Sequence, residues 1–423
     1  MRPRRTALPG KLPLSPASIG TLLARAGGRL AVANARRTLK ASDPVLPEST
    51  AAIIPPAVPG SLGDAAMISA AIAELRRRGF RRVDLFHDDA WPLDEAVDRR
   101  VASSRFFYEN SAHQQAMLIR QTSRYSHMFF IGADVIDGAY NPGSVCRRLS
   151  LLDEAAAAGR QATVLGASYN EMPDRMTEAA LKRLRDDVTI CARDALSRAR
   201  LQQRTSRPIR QTADLAFMLT PRPAHPDAVA ACTWIRTRRA HGGPVVALAA
   251  NYLQAATQPG LRDALREYVH ALTSRGWSIL LVPHDTRTAE PDAALLRYAA
   301  AALAPGQLPR TYLMETPSPG AIKAALAETD LLVTGRLHAL ILAMGSGTPG
   351  IGLAYQNKFE GTLAHFKLDD EADLLTTPEA FARQPWLLVE QSMRVLARSA
   401  ELRARIVAEL PQVRSASARN FAS

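Results

Sequence analysis

Arg336 and His338 stand two residues apart, where the apolar run Leu331–Val333 gives way to the equally apolar run Leu337–Met344. A guanidinium offers a planar fork of donors to a carboxylate or phosphate, and an imidazole changes charge near neutral pH. The pair could therefore hold an anion and move a proton. Arg193 repeats the pattern, leaving the run Val188–Ala192 just ahead of Asp194 and a helix-forming stretch. Other apolar runs also end in polar groups: Asn251 after Val245–Ala249, His284 and Asp285 after Ser278–Val282, Tyr355 and Lys358 after Gly350–Leu353. Asp64, behind Gly63, and Asp194 suit helix N-caps, because an Asp side chain accepts from the free N–H groups of a first turn. His284 and Asp285 have no third ligand at a metal-motif spacing, and the glycines of 345–350 follow a helix and precede a strand, the reverse of a phosphate loop. Neither a metal site nor a cofactor loop is expected.

Alternating elements are what would bring such residues together. Apolar runs too short for helices alternate with longer amphipathic stretches, which reads as a βα series around a parallel sheet covered on both faces. Strands are expected near 51–55, 83–87, 128–132, 162–166 and 188–192, with helices near 64–78, 143–158, 174–185 and 194–203; the stretch 91–127 has no clear period. Pro221, Pro223 and Pro226 then resist both helix and strand and mark a linker. Beyond it strands are expected near 245–249, 278–282, 310–313, 331–333 and 350–353. Helices near 227–239, 260–275, 291–303, 319–328 and 337–345, and one long helix over 377–410, separate or follow them. The expected fold class is α/β, with two doubly wound Rossmann-like domains facing a cleft. The N-terminal domain would span 44–220, the C-terminal domain 227–375, and a C-terminal helix and tail 376–423. Ligands of open parallel sheets bind outside the carboxyl ends of the strands, so the polar residues named above would line that cleft.

Composition narrows the partners. At 423 residues the chain exceeds one hydrophobic core, and a net charge of +13 favours an acidic partner. Aromatic residues make up 6% and do not interleave with the basic ones, so no nucleic-acid platform is expected. Cys146, Cys191 and Cys232 lie far apart, which suits a reducing cytoplasm and indicates neither a disulfide framework nor a thiolate metal site. Residues 1–43 read as a basic arm, with no Asp or Glu up to Ser42; a helix over 17–39 within it could lie on anionic lipid as a peripheral membrane contact.

Taken as a set, several blocks resemble the polysaccharide pyruvyl transferase family. They are Gly335-Arg336-Leu337-His338-Ala339, Gly347-Thr-Pro-Gly-Ile-Gly352 and Tyr355-Gln-Asn-Lys358 toward the C-terminus. Upstream come Gly63-Asp64, Ala192-Arg193-Asp194 with Ser197, Asp214-Leu-Ala-Phe217 and Val282-Pro283-His284, in the family's order. The resemblance runs from about Gly60 to Leu368. Ser61 departs from it, standing where the family often has Asn, and Ile131-Gly-Ala-Asp134-Val-Ile-Asp137-Gly replaces a double glycine. The resemblance implies a fold like that of GT-B glycosyltransferases. It also implies transfer of pyruvate from phosphoenolpyruvate, as a donor substrate without further cofactor, onto two hydroxyls of a glycan acceptor, free or lipid-linked, as a cyclic ketal. Carried across by position, its Arg-Leu-His triplet is Arg336, Leu337 and His338, and its Arg-Asp block is Arg193 and Asp194.

That chemistry suits the residues. A carboxylate and a phosphate call for bidentate donors such as Arg193 and Arg336, with Lys358 as a point charge and Asn251, His284 and Tyr355 alongside. His338 is the expected general acid for the methylene carbon, and Asp64, Asp134 or Asp137 would orient or deprotonate the acceptor hydroxyls. Two other readings stay open: a GT-B-type glycosyltransferase using a nucleotide sugar, with Glu360 as the carboxylate for its ribose, and a catalytically silent carbohydrate-binding protein.

Overall fold

The computed structural model describes residues 28–39, 49–287, 291–301, 303, 306–315, 317–354 and 358–422. Two all-parallel sheets carry the chain. The first contains β1 (Thr50–Ile54), β2 (Arg82–Leu85), β3 (Arg99–Arg100), β4 (His127–Ile131), β5 (Gln161–Ala167), β6 (Val188–Ala192) and β7 (Arg210–Gln211) in the order β3-β2-β1-β4-β5-β6-β7. The second contains β8 (Val245–Ala249), β9 (Ser278–Leu281), β10 (Thr311–Leu313), β11 (Leu331–Thr334), β12 (Gly350–Leu353) and β13 (Leu375–Thr376) in the order β10-β9-β8-β11-β12-β13. The α/β class with two parallel sheets is the fold the strand pattern implied. β3, β7 and β13 escaped it, since two residues at a sheet edge carry no period.

The strands are uniformly apolar because helices cover both faces. In β1 the period of two sends Ala51 and Ile53 into one apolar layer, and Ala52 and Ile54 into the other. Each isoleucine is fully buried, and burial of such a side chain stabilises by roughly 1.5–3 kcal/mol. Strand order reverses between β1 and β4 in the first sheet and between β8 and β11 in the second. At such switch points neighbouring loops part and leave a crevice at the strand ends.

Three stretches differ from expectation. The stretch 91–127 contains a helix, Ala112–Thr122, capped by Ser111. The long helix expected over 377–410 is three helices, Pro378–Arg383, Pro385–Ala397 and Ser399–Ala418. Pro385 lacks an N–H and constrains Gln384 before it, so the first break falls there. The last helix returns to the first sheet, where Asn420 accepts from Gly166 N at 2.8 Å and donates to Ala213 O at 2.9 Å. Finally, residues 28–39 of the expected arm are helical and place Val32, Ala35 and Leu39 in a core layer, with Arg36 Nε 2.6 Å from Glu154 Oε1. The apolar face of that stretch is spent on protein. Residues 1–27 and 40–48 lie outside the described residues. Among the described residues no helix is long and apolar enough to cross a membrane.

Candidate active site

Both switch points open into one cavity of about 350 Å³. Asp64 follows β1, Asp134 follows β4, Asn251 follows β8 and Arg336 follows β11, so the four central strands each deliver a polar lining residue. Arg193, His284 and Lys358, beyond β6, β9 and β12, complete the ring with His338. Eight of the residues singled out in the sequence therefore meet in one place. Tyr355 lies outside the described residues, and Asp137 is not on the cavity wall: it accepts from Ala139 N at 2.9 Å in its own turn.

The loops that carry these groups are held from below and across. Arg148 is fully buried and donates to Pro55 O at 2.9 Å and Tyr108 Oη at 2.8 Å, fixing the exit of β1. Across the cleft, Leu62 N donates to His284 O at 3.0 Å, Thr286 N to Gly60 O at 2.9 Å, and His365 Nε2 lies 2.8 Å from Arg193 O. Gly63 is required for this closeness. A Cβ there would come within 2.3 Å of His338 Nδ1, so the first turn of the helix Leu62–Arg77 can meet the ring only without a side chain.

The cations are not equally placed. Arg336 closes its fork on Asp292, with Nε 2.9 Å from Oδ2 and Nη2 2.7 Å from Oδ1, while Nη1 lies 3.4 Å from Asp285. Tyr252 faces its guanidinium at 5.2 Å. The expectation that Arg336 offers an open bidentate fork is therefore corrected: a buried carboxylate from the helix Asp292–Ala300 occupies it. Asn251 is similarly engaged, donating to Gly335 O and accepting from Leu253 N, both at 3.0 Å. Arg193, 3% exposed, touches Asp214 through Nη1 at 3.3 Å, yet its Nη2 is buried with no partner among the described residues. Both ring nitrogens of His284 are likewise buried and unpartnered, whereas His338 Nε2 faces the Asp214 carboxylate at 3.7 Å. A buried polar group without a partner costs about 1–3 kcal/mol, more when charged. Three such atoms around one cavity mark a place built for a polar ligand.

The carboxylates divide by environment. Burial pushes the Asp64 carboxyl up to about 6, with His338 pulling it down and Asp134 pushing it further up. Burial would also raise Asp134, but Lys358, 3.3 Å away, then Arg193 and His338 outweigh it and hold the carboxyl well below the usual range. Asp214 is held low in spite of burial by His338, 3.7 Å away through Nε2, and by Arg193. His284 is pushed down to about 3 by burial, then by His338 and Arg336, so it stays neutral and one ring nitrogen can donate. Asp64, raised, and Asp214, lowered, both act on the one imidazole of His338, and opposed shifts around one such group are the pattern of an acid–base pair.

Sequence reasoning missed Asp214, Asp292 and Arg287 as parts of the site. Asp214 had a signal, because it opens the block Asp214-Leu-Ala-Phe217. Asp292 reads only as a first-turn acid, and nothing local ties Arg287 to the cleft, which it reaches by pairing with Asp285 at 2.6 Å. Glu360 has a buried Oε2 without a partner among the described residues but does not line the cavity. No cluster of three or more His, Cys, Asp or Glu able to hold a metal ion occurs among the described residues.

Comparison with known proteins gives a family and a fold. The family model described as polysaccharide pyruvyl transferase matches residues 62–357, which include every described residue of the cavity except Ala57, Ser61 and Lys358. No curated protein matches the chain in sequence. Among solved structures, an S. aureus MnaA–UDP complex is similar with a TM-score of 0.56 at 11% identity, over 84% of this chain and 90% of that one. A UDP-GlcNAc 2-epimerase from Neisseria meningitidis bound to UDP-GlcNAc is similar with a TM-score of 0.53 at 9% identity, over 88% and 97%. Identities this low speak for the fold alone, a GT-B-like pair of α/β domains.

Proposed function

We propose a reaction from one premise: the chain belongs to the polysaccharide pyruvyl transferase family. The reaction is transfer of pyruvate from phosphoenolpyruvate onto two hydroxyls of a glycan, as a cyclic ketal with release of phosphate. One observation supports it above the others. The cavity gathers Arg193, Arg336, Lys358 and neutral His284, with Arg193 Nη2 and both His284 nitrogens buried and unpartnered, which suits a small ligand bearing two anionic groups. The charge of Arg336 contributes although its fork is closed, since a guanidinium does not lose its proton.

The proton bookkeeping assigns the remaining groups. The methylene carbon of the donor gains a proton, the neighbouring carbon forms two bonds to sugar oxygens, and its bond to the phosphate oxygen breaks. Of the two hydroxyl protons, one balances that delivered to carbon and the other leaves with phosphate. His338 is the donor in this reading, with the Asp214 carboxylate 3.7 Å from Nε2 as counter-charge to its imidazolium. Asp64, pushed up to about 6, is the base for the attacking hydroxyl, because a base works best with a pKa near the working pH. Asp134, held low, is too weak a base and instead positions Lys358 and the Tyr140 hydroxyl, 3.2 Å away.

The test is phosphate release from phosphoenolpyruvate with a panel of glycans, followed by mass spectrometry. Release that depends on an acceptor, with a product heavier by pyruvate less water, is expected. Turnover of a nucleotide sugar and none of phosphoenolpyruvate would instead favour the glycosyltransferase reading.

A further inference from the structure

A second cavity, of about 380 Å³, adjoins the first and shares Tyr140, Asn251 and Leu253 with it. The rest of its wall is Gln254, Thr257, Gln258, Thr377, Pro378 and Glu379. Its chemistry is the opposite of its neighbour's. Among the described residues no Lys, Arg or His lines it, and the single charged group is a carboxylate that Arg383 already pairs with. What remains are amides, hydroxyls and two exposed apolar surfaces, Tyr140 at 58% and Leu253 at 44% exposure.

One atom points to a ligand. Gln254 is 8% exposed, and its Nε2 donates to Leu353 O at 3.0 Å, which fixes the amide orientation. Its Oε1 is then a buried acceptor with no partner among the described residues. Gly335 permits this placement, because a Cβ there would come within 2.1 Å of that oxygen. An unpartnered acceptor calls for a donor such as a hydroxyl, and the exposed ring of Tyr140 beside Leu253 suits the C–H face of a sugar. A diphosphate would meet a carboxylate and no cation there.

We propose that this second cavity is the acceptor subsite and seats a neutral hexopyranose, with Gln254 accepting from one of its hydroxyls and Tyr140 and Leu253 covering one face. The inference rests on the proposed pyruvyl transfer for its reaction, but the binding site stands on its own residues. It places the acceptor against the wall formed by residues 251–258 and 377–379. Tyr140, Asn251 and Leu253 line both cavities, so a sugar seated there borders the cavity that Asp64 lines.

Saturation-transfer NMR on the full chain tests this, with methyl β-D-glucopyranoside and methyl β-D-galactopyranoside as probes and calorimetry of phosphoenolpyruvate in parallel. Thr257→Trp fills the second cavity from an exposed position, and Gln254→Met removes the acceptor at similar volume. Glycoside affinity should fall roughly tenfold or more in both variants, the scale of one lost hydrogen bond or more, while phosphoenolpyruvate affinity is unchanged. Glycoside signals equal in wild type and variants, no signal from either probe, or displacement of the probe by uridine diphosphate would overturn the proposal. Glycoside binding that responds to both variants in a protein that ignores phosphoenolpyruvate would instead overturn the reaction and leave the subsite standing.

Discussion

Arg193 and Arg336 occupy matching positions, each leaving a buried parallel strand at the mouth of the same cavity, yet one guanidinium is open and the other closed. The difference comes from the carboxylates within reach. Asp292, fully buried at the start of the helix Asp292–Ala300, takes both ends of the Arg336 fork and also accepts from Tyr252 N and His284 N. Arg336 thereby ties three loops of the second domain together. Arg193 meets Asp214 through one nitrogen and Asp194 only at 3.8 Å, which leaves Nη2 for a ligand. The contrast separates an arginine that builds the site from one that uses it.

The largest effect should follow from closing the open side. Arg193→Lys keeps the charge and loses the fork, so kcat/KM should fall on the order of 100- to 1,000-fold with little change in Tm. Equal losses of activity and stability would erase the distinction. Next, Asp64→Asn should cost on the order of 100-fold in kcat, since it removes the base. Wild-type kcat/KM should rise with pH to a plateau above about 6, a limb the variant lacks. Stability runs the other way. Between the ordinary 3.8 and about 6 the folded protein binds more protons at Asp64 than the unfolded chain, so its contribution to stability falls as pH rises through that window. At pH 7 Asp64→Asn should be the more stable protein by roughly 3 kcal/mol, measured by urea unfolding.

Smaller effects on turnover belong to the closed side. Arg336→Lys leaves Asp292 with a poorer partner, so stability should drop by about 1–3 kcal/mol while phosphoenolpyruvate affinity changes less than that of Arg193→Lys. Calorimetry and denaturant titration of both variants decide it. Smallest of all, deletion of residues 1–27 should leave turnover of a soluble acceptor unchanged, because none of the proposed site residues belongs to that stretch. If the deletion also abolishes co-sedimentation with anionic vesicles at low salt, the basic arm is a membrane contact; if the full chain ignores such vesicles, it is not.

The two arginines also show how far the sequence could be read. Uniform apolar runs such as Ala51–Ile54 and Leu331–Val333 announced buried parallel strands; strand-terminal position selected Arg193, Asn251, His284, Arg336, His338 and Lys358 of one cavity, and the family resemblance added Asp64 and Asp134. Partnership was not legible. That Asp292 reaches Arg336 from 44 positions away, or that Asp214 stands behind His338, depends on which helix packs against which strand end. Chain spacing does not encode it. The break before Pro385 was local and readable, whereas the docking of residues 28–39 depended on an apolar face too short to separate a protein surface from a lipid one.

A crystal structure with phosphoenolpyruvate bound tests the central contrast most directly. The account predicts an oxygen of the ligand's carboxylate or phosphate within hydrogen-bond distance of Arg193 Nη2 and another on a ring nitrogen of His284, with the Arg336–Asp292 fork still closed. A ligand held instead by an Arg336 that has released Asp292, with Arg193 Nη2 untouched, would contradict it.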